Sequence, residues 1–227
     1  MDLYVLELNN PWGQEASSIG AQVLGLLEDN PLAQFAQMEL GYDDLWEPYN
    51  LEKAVSFLAG DAEANIGLHG SSPFNITGSV ALNDAQNTVG LGFSYEYLTA
   101  SQPLSQLTDY LKRWPGILPA FAWATITADD RENEYFFDKL AMLPVPDCFG
   151  TVLGWYHVVS PRGYEKYYKP EDLRRAPAYQ VEEFADGSFA LMTYAHPLEF
   201  GAEENTRRLV ELTKYLYDCW KANGGSY

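Results

Sequence analysis

The sequence predicts an α+β fold in which antiparallel sheet(s) carry helices packed on one face. Short β-branched and aromatic runs bounded by turn residues indicate strands, and apolar residues three or four positions apart indicate helices between them. In each half of the chain these signals follow the same order of strand, helix, strands and helix. We therefore expect a single α+β domain over residues 1–227, with two halves, 1–115 and 116–227, of related β-α-β-β-β-α topology.

The first half opens with a strand over residues 3–8, where LYVLEL is largely apolar. A helix is expected over 19–29, because its apolar residues recur at helical spacing. Asn30 and Pro31 should stop this helix, since proline cannot continue one. The pattern over residues 32–50 predicts no regular element.

Two further helices and three strands complete the first half. One helix is expected over 51–60, with Gly60 suited to a left-handed cap at its end. The other is expected over 101–114 and should end at Pro115. Three runs between these helices indicate strands, the last two joined as a hairpin by NDAQN: 64–70, 74–82 and 88–98.

The second half contains the strongest hairpin signal in the chain. Asp186 and Gly187 form the dipeptide that favours tight hairpin turns, and they lie between two runs of strand character. The last helix places leucines and Trp220 on one face. The expected elements are strands at 121–128 and 151–160, a helix at 129–143, the hairpin at 179–195 and the final helix at 202–222.

The charge of the chain is strongly acidic and uneven. It contains 14 Lys and Arg residues against 32 Asp and Glu residues, which gives a formal net charge of −18. Such a charge speaks against nucleic acid and anionic membrane as partners, and it favours a basic partner or simply solubility. Residues 1–115 hold only three of the basic residues and 15 of the acidic ones. One surface of the first half is therefore a candidate for attracting positive charge.

Cysteine content and the N-terminal sequence favour a cytoplasmic protein. Cys148 and Cys219 lie in no CxxC or metal-binding spacing, so we expect two reduced thiols. MDLYVLELNN lacks the basic and apolar regions of a signal peptide, and no apolar run reaches the ~18–20 residues that a membrane span needs. We expect no metal and no cofactor.

Catalytic motifs are sparse. The phosphate-binding, nucleophile-elbow and metalloprotease patterns are absent, and His69, His157 and His196 each stand alone. We expect His157, in the run TVLGWYHVVS, to be a core histidine bonded to the backbone, with a general base as the alternative. Adjacent carboxylates such as Glu182 and Glu183 leave a carboxylate-based hydrolase open. Our expectation is that the protein is not an enzyme.

Residues 41–50, GYDDLWEPYN, combine acidic and aromatic side chains between two helical patterns. One interpretation is a loop held to the core by Trp46. The other is a binding patch, because aromatic anchors surrounded by charges are typical of protein interfaces. Such a patch would suit a basic groove on a partner protein, and its candidate residues are Tyr42, Asp43, Asp44, Trp46, Glu47 and Tyr49.

Several short motifs resemble the bacterial polymorphic-toxin immunity proteins grouped as the immunity protein 52 family. A Gly154-Trp155 pair precedes the final third of the chain, and a leucine-rich helix closes it. The family has an arginine after a Trp-Gly pair near the N-terminus, where this chain has Gln14. The other matching segments are Pro11-Trp12-Gly13 with Glu15, LKRWPG with the following Trp123, and the hairpin ADGSFALMTYAHPLEF.

This resemblance implies a protein without catalytic activity that is encoded beside a secreted or contact-delivered toxin, as in type VI secretion, and neutralises it by binding. Such toxins are often nucleases with a restriction-endonuclease-like fold. An acidic inhibitor suits a nuclease, because the groove of a nuclease must attract phosphates and is therefore basic. The residues alone also leave open a carboxylate-based hydrolase and an acidic interaction module unrelated to toxins.

Overall fold

Helices and antiparallel strands form two units, which we call the N-terminal unit (Asp2–Phe121) and the C-terminal unit (Ala122–Tyr227). This arrangement confirms the predicted α+β class. The expectation of one domain with related halves stays a prediction, and the helix expected over 129–143 lies outside the described residues. The computed structural model describes residues 2–6, 16–30, 34–41, 45–60, 64–70, 77–82, 87–92, 101–118, 121–126 and 154–225.

The N-terminal unit is built on an antiparallel sheet in the strand order β3-β2-β4-β5-β6-β1. Its described strands are β1 (Asp2–Leu6), β2 (Phe35–Leu40), β3 (Trp46–Pro48), β4 (Asn65–Gly70), β5 (Thr77–Leu82) and β6 (Asn87–Gly92). Its described helices are α1 (Ala16–Glu28), α2 (Leu51–Gly60), α3 (Ser101–Lys112) and the single turn α4 (Trp114–Ile117).

One face of this sheet forms the core of the unit. Alternate residues of the strands are fully buried on that face, while the positions between them are partly or fully exposed. Helices α1 and α2 pack together where Gly20 leaves room for Leu58, because a Cβ on Gly20 would lie 3.1 Å from the Leu58 side chain. The buried strand residues are Met38, Ile66, Leu68, Val80, Val89 and Leu91.

Two local expectations for the N-terminal unit are wrong. Gly60 is not a left-handed cap, since it is the last helical residue of α2 and a positive φ occurs instead at Gly41, directly after β2. Pro115 does not end the helical region, because it lies in the first turn of α4, where a missing N–H costs nothing. Strands β2 and β3 occupy a stretch for which no element was predicted.

The C-terminal unit contains a second antiparallel sheet in the order β7-β8-β10-β9. Its described strands are β7 (Trp123–Ile126), β8 (Tyr156–Val159), β9 (Gln180–Glu183) and β10 (Phe189–Met192). Its described helices are α5 (Pro161–Tyr164), α6 (Pro170–Arg174), a 3-10 turn (Pro197–Glu199) and the long helix α7 (Glu203–Ala222).

Strand β8 lies within the strand predicted over 151–160, and it is an inner strand whose two faces are both covered. It pairs with β7 on one side and β10 on the other, and all four of its residues are buried. The predicted hairpin is confirmed as β9–β10. Its loop closes with a hydrogen bond from the Phe184 N–H to the Ser188 carbonyl, and Gly187 adopts φ 83°, a conformation that glycine accepts without strain.

Helix α7 has the apolar face that the sequence predicted. Leu209, Leu212, Leu216 and Trp220 are all buried. Glu203 and Glu204 lie in its first turn, where negative charge interacts favourably with the helix dipole. None of the described helices combines the length and the apolar composition that crossing a bilayer requires.

Candidate functional site

The described part of the candidate segment 41–50 forms the edge of the N-terminal sheet. Gly41 leaves β2 with φ 84°, and its N–H donates to the Asn65 carbonyl at 2.8 Å. The chain then returns as β3, whose one partner among the described strands is β2. Three of the predicted binding residues, Tyr42, Asp43 and Asp44, lie outside the described residues.

Trp46 lies on the exposed side of this edge strand. Its indole contacts His69 edge to face, with ring centroids 4.3 Å apart, and the side chain remains 40% exposed. The indole extends across β2 toward Gly67 of β4, because a Cβ added to Gly67 would lie 3.1 Å from Cη2 of the indole. Trp46 is therefore a surface aromatic supported by a glycine and a histidine.

Glu47 points to the other side of β3, as strand alternation requires. Its carboxylate forms an ion pair with Lys53 of α2, with the Nζ at 2.5 Å from Oε2. Both side chains are partly exposed, so the pair contributes at most about 1 kcal/mol to stability. Because Lys53 offsets its charge, Glu47 adds little to the negative field of the surface.

Tyr49 packs inward at the same edge. Its ring lies 6.0 Å from the ring of Phe35, and its backbone N–H donates to the Ala36 carbonyl at 3.0 Å. Burial, followed by the charge of Glu28, raises the pKa of the Tyr49 hydroxyl above its ordinary value. The structure thus separates the described candidates: Trp46 is presented to solvent, Glu47 is paired on the opposite side, and Tyr49 supports the core.

A different set of residues accompanies Trp46. Strand register aligns Trp46, Glu39, Gly67, Ser79 and Gly90 in one row across five neighbouring strands. The next row along the same face contains Gln37, His69, Thr77 and Gly92. We call the surface formed by these nine residues the open face. Its exposed members are Gln37, Trp46, His69, Thr77 and Ser79.

The nine described residues of the open face include no Lys or Arg, and those from β5 and β6 have small side chains or none. The six described strands of the N-terminal sheet contain no Lys or Arg, whereas they include Asp2, Glu39 and Glu47. The sequence did not predict this surface, because its residues are dispersed over five strands. The sequence pattern that could have predicted it is glycine, serine or threonine at alternate positions of strands whose other positions are apolar.

Each of the three cations of the N-terminal unit contacts a residue that does not belong to the open face. Lys53 is paired with Glu47, and the Lys112 Nζ lies 3.8 Å from the Asp109 carboxylate. The Arg113 guanidinium lies over the ring of Tyr110, 5.6 Å from its centroid. Since residues 1–115 carry 15 acidic residues, this unit has a large excess of negative charge.

His157 is a core histidine, as expected from the sequence. It is buried in β8, and its Nε2 lies 3.1 Å from the Gly154 carbonyl oxygen. Burial lowers the pKa of His157 to about 4, so the ring is neutral at pH 7. Because the ring is buried from solvent and its lowered pKa makes it a weak base, His157 is not positioned as a general base in this structure.

In the C-terminal unit, one carboxylate of each described pair of adjacent glutamates forms an ion pair with an arginine. Glu183 receives two hydrogen bonds from Arg174, at 2.7 and 2.6 Å, and these lower the pKa of its carboxyl group. Glu204 lies 3.0 Å from Arg208, one helical turn further along α7. In the described part of the chain, no three His, Cys, Asp or Glu side chains converge in a way that could hold a metal ion.

Comparison with known proteins gives a structural likeness at low sequence identity. No protein-family model matches the sequence, and no curated protein matches it. Among solved structures, the Pseudomonas aeruginosa T6SS protein PA0821 is similar, with a TM-score of 0.54 and 12% identity. The match covers 96% of this chain and 72% of that protein. At this identity the likeness establishes the fold.

Proposed function

We propose that this protein is an immunity protein that binds a cognate toxin and neutralises it without catalysis. The observation that carries the proposal is the acidic N-terminal unit, whose described strands expose one face without Lys or Arg. A surface of this kind attracts a positively charged protein over a long range and disfavours nucleic acid.

The resemblance of the short motifs to the immunity protein 52 family supports this proposal. The whole-chain structural likeness to a protein described as a T6SS protein agrees with it, because contact-delivered toxins require immunity in the producing cell. A nuclease is the proposed toxin class, since an acidic inhibitor is complementary to a groove that binds phosphates. The proposed site of action is the cytoplasm.

The proposal predicts that a toxin gene lies beside this gene, and co-expression with that gene tests it. The toxin domain is expressed from an inducible promoter in a heterologous bacterium, with or without this protein. We expect growth to be restored when both are present, and the two purified proteins to form a stable complex. A protein that neither restores growth nor binds the adjacent toxin is not its immunity protein.

A further inference from the structure

The open face brings an aromatic ring and a carboxylate to one point above Gly67. A Cβ built on Gly67 would lie 3.1 Å from Cη2 of Trp46 and 3.2 Å from Oε2 of Glu39. The absent glycine side chain therefore lets both groups approach the same place on the sheet. Trp46 is exposed there, and Glu39 is half-buried beside it.

This combination matches the chemistry of an arginine side chain. A guanidinium group stacks on an indole ring and also donates hydrogen bonds to a carboxylate. A lysine ammonium group could use the ring and the carboxylate as well, but it lacks the planar surface that stacks. The pair therefore favours a partner that presents arginine.

The rest of the open face leaves room for the segment that would carry this arginine. Ser79 is exposed in the neighbouring strand, and the following position in the row is Gly90, whose missing Cβ faces the Ser79 hydroxyl. Five of the nine residues of this face carry small side chains or none: Gly67, Thr77, Ser79, Gly90 and Gly92. A partner backbone can thus approach the sheet closely across these strands.

Resting on the proposed function, we propose that the open face is the docking surface for a cationic segment of the toxin. An arginine of that segment lies against Trp46 and Glu39 above Gly67. The excess of acidic residues in the N-terminal unit favours a positively charged protein as the binding partner and disfavours a second copy of this acidic chain.

Two arginine substitutions of equal charge test the location. Ser79→Arg places a cation in the middle of the open face, and Gln106→Arg places the same cation on an exposed position of α3. Affinity for the adjacent-gene toxin should fall by about tenfold or more for Ser79→Arg and by less than about twofold for Gln106→Arg, since like charges in contact are strongly unfavourable. Thermal melting of each variant controls for folding.

Trp46 and Glu39 are tested by graded substitutions. Trp46→Phe keeps a ring and should retain more affinity than Trp46→Leu, while Glu39→Gln removes only the charge and should weaken binding by several-fold. If the wild type neutralises the toxin and all these variants bind equally well, the docking surface is wrong and the proposed function stands.

If the wild type binds no adjacent toxin, the proposed function fails, and a defined probe still tests the surface. Nona-arginine is titrated into the isotope-labelled protein at low salt and followed by NMR. We expect the largest shifts at the Trp46 indole N–H and the amides of Gly67, Ser79 and Gly90. Shifts centred on helices α1, α2 and α3 instead would overturn the inference.

Discussion

Trp155 is the residue on which the C-terminal sheet depends most clearly. Its side chain is only 3% exposed, and its indole N–H donates to the Tyr194 carbonyl at 2.9 Å. Its backbone bonds to both neighbouring strands, through the Ile126 carbonyl and the Thr193 N–H. Trp155 therefore joins β7, β8 and β10 at one position.

Replacing this side chain should cost much of the stability of the C-terminal unit. Trp155→Ala should lower the free energy of unfolding by about 3–5 kcal/mol, because it leaves a large cavity and an unpaired carbonyl. Urea unfolding followed by circular dichroism measures the loss. Trp46→Ala, at a position 40% exposed, is the matched comparison and should cost clearly less. Equal losses for the two variants would contradict the burial of Trp155.

His157 should make the protein less stable in mild acid. Burial holds its pKa at about 4 in the folded state, against the ordinary 6.5 of an unfolded chain. The unfolded state therefore binds the proton more readily, so the stability contributed by the neutral ring is complete above about pH 6.5. It is lost as the pH falls from 6.5 toward 4, by about 3 kcal/mol in total.

The pH dependence of urea unfolding checks this expectation. His157→Gln should be less stable than the wild type at pH 7, and the difference between the two should shrink between pH 6.5 and 4.5. A constant difference across this range would show that His157 does not titrate as a buried neutral group.

At the scale of elements, the close packing of α5 against the start of β7 requires a glycine. The Ser160 N–H donates to the Ala122 carbonyl at 2.9 Å, and the next turn brings Gly163 against the same carbonyl. A Cβ at position 163 would lie 2.3 Å from that oxygen. Neither backbone can move away without breaking the β7–β8 connection.

Gly163→Ala should accordingly destabilise the C-terminal unit by about 2–3 kcal/mol, as overpacking against fixed atoms does. Gly201→Ala is the matched control, because a Cβ there meets no atom within 4 Å. Its effect should stay within about 0.5 kcal/mol. Thermal or urea unfolding measures the stability of both variants. Comparable stabilities would rule out a close approach at Gly163.

The elements that the sequence predicted well are those with a long, one-sided apolar pattern. Helix α7 and the β9–β10 hairpin follow from leucine spacing and from Asp186-Gly187. Strand β3 was missed, because three residues at a sheet edge, one of them proline, carry little periodic signal. Strand β2 was missed because its register shifts between Phe35 and Gln37, which interrupts the alternation.

The candidate site also shows that a local sequence pattern can be recognised, whereas the pairing of distant strands cannot. Sequence proximity in GYDDLWEPYN suggested that Trp46 and Glu47 act together, yet consecutive residues of a strand point to opposite sides. The neighbours of Trp46 on the open face come instead from β2, β4 and β5, through pairings that no local pattern encodes. The predicted roles of Tyr42, Asp43 and Asp44 stay predictions.

At the scale of the whole molecule, charge is divided unequally between the two units. Residues 1–115 hold three Lys and Arg residues against 15 Asp and Glu, whereas residues 116–227 hold 11 against 17. In the described part of the C-terminal unit, ion pairs with arginine offset four of the acidic groups: Glu171, Glu183, Glu204 and Glu211. We therefore propose that the N-terminal unit provides the long-range attraction for a cationic partner.

Association kinetics with the adjacent-gene toxin, measured by stopped flow at low and high salt, test this central claim most directly. Glu39→Gln, Asp43→Asn and Asp44→Asn together remove three carboxylates from the N-terminal unit. Glu203→Gln, Glu204→Gln and Glu211→Gln together remove three from α7. We predict that the first variant associates about tenfold more slowly at low salt, with a flatter salt dependence, and that the second stays within about twofold of the wild type. Equal rates for the two variants, or a wild-type rate that does not fall with added salt, would contradict the account.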